Sequence, residues 1–206
     1  MITTEDVKKL REETGVSVMQ CKKALEEAGG DMVKAKVILQ KKGSAIAAKK
    51  ADRELGAGVV QAYVHSTYTV AGVVVLACET DFVAKNEEFI KLAYDIAMQV
   101  AATAPEFMKR EEVDEKAMKA AKEVFAKEIE GLPAASRNAA QAGKPKDLQD
   151  KILQGKLDSY FKDKILLEQA YIKDDSKTVQ GLIDEATQKF GERIELTRFE
   201  RFGVQG

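Results

Sequence analysis

The stretch Val73-Val74-Val75-Leu76-Ala77-Cys78-Glu79-Thr80-Asp81-Phe82-Val83-Ala84-Lys85-Asn86 decides how this chain is to be read. Its first half is a short apolar run rich in β-branched residues. That composition suits a strand buried on both faces. Polarity then arrives abruptly at Glu79-Thr80-Asp81. Thr80 or Asp81 can cap the amides that open a helical turn, because a side-chain oxygen accepts from free backbone N–H groups. Phe82 follows at once, a large ring on the tip leaving a stiff strand. It has two fates: folding back as a core staple, or pointing outward as a probe. On composition alone the core fate is the commoner one for an aromatic.

Working outward from the tip, Gly58 to Thr67 reads as a mixed strand and Tyr68-Thr69 as a turn. With Val70 to Glu79 they make an antiparallel hairpin. Downstream, Phe89, Ile90, Ala93, Ile96, Ala97 and Val100 recur at helical spacing over about Glu87 to Ala102 and should cover one face of the sheet. Glu111 to Glu130 is a charged helix carrying Val113, Met118, Ala121, Val124, Phe125 and Ile129, broken by Gly131-Leu132-Pro133. Residues 134–143 are small and carry no clear pattern. A further helix from Lys144-Pro145 carries Leu148, Ile152, Leu153, Leu157 and Phe161, and pairs with the preceding one as a hairpin. Ile165 to Ile172 reads as strand or extended chain, Asp174-Asp175-Ser176 as turn and cap, and Val179 to Phe190 as a helix stopped by Gly191. Ile194 to Phe202 alternates as a last strand and joins the hairpin.

Residues 4 to 51 read as small helices between glycine stops. Thr4 caps the first, with Val7 and Leu10 inward. Ser17 opens the second, with Gln20 as capping-box partner and Val18, Cys21, Leu25 and Ala28 on one face. Asp31 caps the third, with Val33, Val37 and Ile38 inward and Gly43 as its stop. A fourth stretch runs from Ser44 to about Arg53. The expected fold class is α+β. Residues 1–53 form a three-helix bundle. Residues 54–206 form a core domain: a three-stranded antiparallel sheet covered by helices, with a helical hairpin insertion over about 111–161.

Composition narrows the function. The 206 residues are 45% hydrophobic and 33% charged, with a formal net charge of -1. That balance argues against a general nucleic-acid binder, which carries a strong basic excess. No run of eighteen apolar residues suggests a membrane span, and residues 1–6 lack the character of a secretion signal or transit peptide. Cys21 and Cys78 lie in unrelated stretches without metal-ligand spacing, which favours free thiols in a reducing compartment. The single His65 has no acid or nucleophile beside it in sequence and reads as a structural or surface residue. No glycine-rich phosphate loop, nucleophile elbow or ligand cluster is present. Glu79 and Asp81, two apart on a strand end, point the same way, so a two-carboxylate hydrolase is conceivable, without binding residues around it. The expectation is a protein that works by binding, not an enzyme, with no cofactor and no metal.

Glu79-Thr80-Asp81-Phe82-Val83-Ala84-Lys85-Asn86 resembles the signature of the translation elongation factor Ts family. Three further blocks are similar to it: Leu10-Arg11-Glu12-Glu13-Thr14-Gly15 continued by Cys21-Lys22-Lys23-Ala24-Leu25; Gly143-Lys144-Pro145, Leu166-Leu167-Glu168-Gln169 and Lys173 to Val179; and Arg198-Phe199-Glu200-Arg201-Phe202. The resemblance covers the whole chain. It implies a ubiquitin-associated-like bundle at the start and nucleotide exchange on a GTPase, elongation factor Tu, in the cytoplasm, without direct contact with nucleic acid or membrane. It also implies that Thr80, Asp81, Phe82 and Val83 act on the partner's Mg²⁺ site, and that Met19, Lys22 and Lys23 dock its nucleotide-binding domain. Many relatives carry a Gly and a Met pair where this chain has Val16-Ser17-Val18-Met19, so that contact is altered in detail. Longer members carry a second sheet-bearing half. This chain has one strand-hairpin block, which predicts a homodimer in a two-plus-two complex. The rival reading is a ubiquitin-associated-type adaptor without exchange activity, which leaves the Phe82 tip without a role.

Overall fold

The computed structural model describes residues 2–131 and 146–205. Element order is α1 (Thr4–Thr14), α2 (Val18–Glu27), α3 (Met32–Lys49), β1 (Ala57–Val64), β2 (Val70–Cys78), α4 (Asp81–Ala84), α5 (Glu87–Thr103), α6 (Glu115–Gly131), α7 (Lys146–Lys164), β3 (Ala170–Tyr171), β4 (Asp174–Thr178), α8 (Val179–Phe190) and β5 (Ile194–Gly203), with 3₁₀ turns at Arg110–Glu112 and Leu166–Glu168. The fold is α+β. Residues 134–143, which the sequence leaves open between a helical turn and a loop, lie outside the described residues. The chain packs as two units. One combines residues 1–102 and 170–206; the other is residues 103–169.

In the first unit, β1, β2 and β5 make an antiparallel sheet in the order β1-β2-β5. β2 is the centre, with Val75 opposite Val60 and Arg198, and Leu76 opposite Val59 and Leu196. A register shift in the β2–β5 pairing falls between Val75 and Leu76. Expectation and structure part at β2: one face, with Val74, Leu76 and Cys78, is fully buried, while Val73 and Val75 on the other face are half-buried. The buried face meets α5, whose Phe89, Ala93, Ile96, Ala97 and Val100 are buried. Gly72 sets how closely they meet. A Cβ there would stand 2.2 Å from the Ala97 carbonyl oxygen and 3.0 Å from the Ala101 nitrogen. The opposite face carries Val60, Val64 and Phe202, 71%, 56% and 58% exposed.

The bundle α1–α3 has its own core of Val7, Leu10, Val16, Cys21, Ala24, Leu25, Ala35 and Leu39. Its first cap is Thr3, not Thr4. Thr3 Oγ1 accepts from the Asp6 amide at 3.1 Å and Asp6 accepts from the Thr3 amide at 2.9 Å. The reciprocal box needs an acid three residues on, which Asp6 supplies. Ser17 does cap α2, but Gln20 does not return the bond. Its side chain accepts instead from Gln188 of α8 at 3.0 Å.

Gly43 is not a stop. α3 runs through it to Lys49 as one helix, replacing the expected third and fourth helical stretches. A glycine inside a helix costs about 1 kcal/mol. Here it allows a close crossing, because a Cβ would lie 3.1 Å from Gln188 Oε1 and 3.3 Å from the Asp184 carbonyl of α8. The buried stripe is therefore Ala35, Leu39 and Gly43, four residues apart. Val33 and Val37, expected inward, are 72% and 46% exposed, and Val18 is 50% exposed.

α8 is capped by Thr178, whose hydroxyl accepts from the Gly181 amide at 3.0 Å, while Asp174-Asp175-Ser176, expected as turn and cap, belongs to β4. Beside it, Asp95 of α5 is buried among cations, with Lys91 at 2.9 Å and Lys173 at 2.7 Å. In the second unit, α6 and α7 pair antiparallel, as Glu128–Lys156 and Phe125–Tyr160 show. They enclose Ala121, Leu157, Phe161 and Ile165.

Candidate functional site

β2 ends at Cys78 and the chain turns at Thr80, whose backbone is still extended (φ -126°, ψ 155°). Thr80 Oγ1 caps the four-residue turn α4 by accepting from the Val83 amide at 3.4 Å. The alternation of a strand stops there, which separates the two carboxylates expected to point together. Glu79 turns inward. It accepts from Arg53 at 3.0 and 3.2 Å and from the Arg193 amide. The Arg193 amide, with Arg53 beside it, holds this carboxyl below its ordinary range. Asp81 turns outward to Lys85 at 2.6 Å, and that contact lowers its carboxyl too. Neither shares a proton with the other, so the arrangement offers no acid–base pair.

Phe82 projects. Its residue is 81% exposed, whereas Val83 and Ala84 are 4% and 8% exposed. The outward fate is the observed one. Val83 and Ala84 anchor the turn in the hydrophobic layer, and Phe82 occupies the position of a four-residue helix that faces away from it. A projecting aromatic ring on a turn whose base is buried is the kind of side chain in which binding interfaces are enriched.

Sequence reasoning missed the contacts that hold this tip. Glu192, in the turn after α8, accepts from the Thr80 amide at 3.0 Å and from the Thr80 hydroxyl at 2.7 Å. Arg193 also donates its guanidinium to the Arg53 carbonyl, and Lys50 Nζ donates to the Gly191 carbonyl at 2.5 Å. Residues 191–193 thus meet both the end of the bundle and the tip. The partners are more than one hundred residues apart in sequence, so no local spacing could have paired them. The only signal was Gly191, which ends α8 in a left-handed conformation (φ 73°).

Thr80, Asp81, Phe82 and Val83 therefore come together on one short turn. Met19, Lys22 and Lys23 lie apart from them on α2. Met19 is 68% exposed, and both lysines are exposed, Lys22 standing 3.9 Å from Glu26. His65 sits at the far end of β1, its Nδ1 2.9 Å from the Tyr63 hydroxyl. Cys21 and Cys78 are buried free thiols. Burial raises the pKa of both, which makes them poor nucleophiles. Among the described residues, no group of three or more His, Cys, Asp or Glu is placed to hold a metal ion, and no helix is long and apolar enough to cross a membrane.

The family model described as Elongation factor TS matches residues 5–206. Elongation factor Ts of Syntrophomonas wolfei is 46% identical over 204 residues, covering 99% of this chain and 91% of the relative. That of Moorella thermoacetica is 48% identical over 204 residues, covering 99% and 96%. That of Thermosipho melanesiensis is 44% identical over 204 residues, covering 99% of each. A match of this extent, on a fold that presents the signature turn at its surface, has one reading: the chain belongs to the elongation factor Ts family and is a translation elongation factor of the nucleotide-exchange kind.

Proposed function

We propose that this chain drives GDP release from elongation factor Tu, and that Phe82 is the group that does it. The observation that carries the reading is the ring's 81% exposure beside a Val83 that is 4% exposed. The probe is thus free while its base is fixed. A GTPase holds GDP through Mg²⁺, phosphate-loop amides and a few side chains. A factor that binds the empty form more tightly than the loaded form weakens nucleotide by the same ratio, because linkage is reciprocal. Phe82 wedges between the partner elements that flank its Mg²⁺ site, so metal and phosphate ligands no longer converge. Asp81 flanks the ring on the outer side, and Thr80 and Val83 shape the turn. No bond is made or broken, and fresh nucleotide releases the factor.

The bundle of residues 1–53 docks the partner's nucleotide-binding domain through Met19, Lys22 and Lys23, and the core of residues 54–206 carries the tip. Two copies pair through the open sheet face, whose Val60, Val64 and Phe202 are exposed, to give a two-plus-two complex in the cytoplasm. The test is release of a fluorescent GDP analogue from purified elongation factor Tu. Stimulation by the wild-type chain supports the reading. Release at the spontaneous rate over the full range of factor concentrations overturns it.

A further inference from the structure

The tip works only if its ring arrives at a fixed angle, yet α4 has four residues and too few bonds of its own to set one. What sets it comes from the other end of the chain. Glu192 accepts from both donors of Thr80, the backbone N–H at 3.0 Å and the hydroxyl at 2.7 Å. Thr80 in turn caps the turn that carries Phe82. Glu192 therefore reaches the ring through one intermediary, and it grips the residue where strand geometry gives way to helix geometry. It is half-buried and follows Gly191, which closes α8. α8 is tied to the bundle at Gln188–Gln20 (3.0 Å) and Ser44–Asp184 (2.5 Å).

We propose that Glu192 is a positioning residue for exchange: its carboxylate orients the Thr80 cap and so aims Phe82. This deepens, and rests on, the reading of Phe82 as the exchanging group. Two-point acceptance by one carboxylate fixes rotation about the Thr80 backbone as well as distance, which one bond would not. Lys50–Gly191 and Arg53–Glu79 anchor the same neighbourhood to the end of α3. Aim is thereby referenced to the bundle that docks the partner. Loss of Glu192 leaves the ring, the sheet and the docking surface in place and loosens only the angle between them. Rate then falls at saturation, because a loosely held ring spends less time in the productive pose.

The experiment titrates wild type, Glu192→Ala, Glu192→Gln, Phe82→Ala and the Phe82→Ala/Glu192→Ala double variant against elongation factor Tu loaded with fluorescent GDP. Circular dichroism and melting temperature are recorded for each. The expected result is a fall of about tenfold or more in the maximal stimulated rate for Glu192→Ala, with a half-saturating concentration within about twofold of wild type. Glu192→Gln, which keeps shape but loses the charge and one acceptor, falls in the same direction by less. In the Phe82→Ala background the Glu192 change has no further effect, since there is no ring left to aim. A purely structural role predicts otherwise: a lowered melting temperature and a loss that multiplies with that of Phe82→Ala. If Glu192→Ala does not fold, Glu192→Gln alone carries the comparison. If wild type stimulates release and the folded Glu192 variants match it, or if the losses multiply, the inference is overturned while the function stands. If wild type itself fails to stimulate release, the function falls and the inference with it.

Discussion

Phe82 and Val83 are neighbours in sequence and opposites in surroundings: one is 81% exposed and the other 4%. Because the ring makes so little contact with its own chain, its removal is silent for folding. Phe82→Ala should melt at the wild-type temperature and lose about 2–4 kcal/mol of interaction with the partner, as a buried interface aromatic does. Stimulated GDP release and a thermal melt on the same sample check both halves. Asp81→Ala should have a smaller effect, since it breaks an exposed ion pair that is worth little by itself.

The docking role proposed for Met19 makes a prediction separate from that of the tip. Met19→Ala should raise the half-saturating factor concentration by about tenfold, corresponding to ~1.4 kcal/mol, and leave the maximal rate unchanged. Charge removal at Lys22 and Lys23 should lower the association rate and flatten its salt dependence, as exposed charges steer encounter more than they hold the complex. Stopped-flow titration at two ionic strengths separates these effects.

Gly72 sits where the sheet touches α5. Gly72→Ala would drive a methyl into the Ala97 carbonyl, which lies 2.2 Å from the Cβ position. Backbone cannot rotate away as a side chain can, so the helix must shift. The expected cost is about 3 kcal/mol or more. Urea denaturation followed by circular dichroism measures it.

Asp95 predicts a pH dependence. Burial alone would raise its carboxyl, but hydrogen bonds and charge from Lys173 and Lys91 outweigh that and hold it below the ordinary 3.8. A carboxyl lowered on folding contributes stability that is full above its unfolded value and is lost as pH falls through the folded one. Asp95→Asn should therefore be less stable than wild type by about 1–3 kcal/mol at neutral pH. The difference should shrink as pH drops below about 4, near the unfolded carboxylate value. Denaturation midpoints at pH 7 and pH 3 test both the size and the sign.

The open sheet face predicts association. Phe202→Glu should fold normally and separate a pair of chains. A central interface aromatic is worth about 2 kcal/mol or more, roughly a thirtyfold rise in dissociation constant. Light scattering over a concentration series checks it. A wild-type monomer at every concentration would rule out pairing through this face.

Much of this architecture was legible because it depends on local chemistry. The β2 run, the α5 periodicity, the Gly191 stop and the alternation of β5 all follow from neighbours within a turn or two. The misreadings along α3 come from contacts made beyond the helix itself. Gly43 looks like a helix stop until α8 is seen pressed against it. Val33 and Val37 look like core residues until the bundle's own core is seen to take Ala35 and Leu39 from the neighbouring face of α3 instead. Thr80, Asp81, Phe82 and Val83 could be picked out as a group, but the two fates of the ring could not be separated from composition. The outward fate goes with the burial of Val83 and Ala84 beneath the turn, and the turn itself is held by Glu192 and Arg193, residues that no short-range pattern ties to the tip.

The 103–169 unit leaves and returns at one place. The amides of Glu106 and Phe107 both donate to the Lys164 carbonyl at 2.9 and 3.1 Å, and Thr103 meets Gln169 at 2.8 Å. An excursion whose entrance and exit are stitched together transmits little of its own size to the chain that hosts it. Its two helices could be shortened by whole turns, or exchanged for a tight loop joining 103 to 169, without changing the spacing its host must bridge. That makes this unit a place where the chain can gain or shed length at little cost to the two ends it must join.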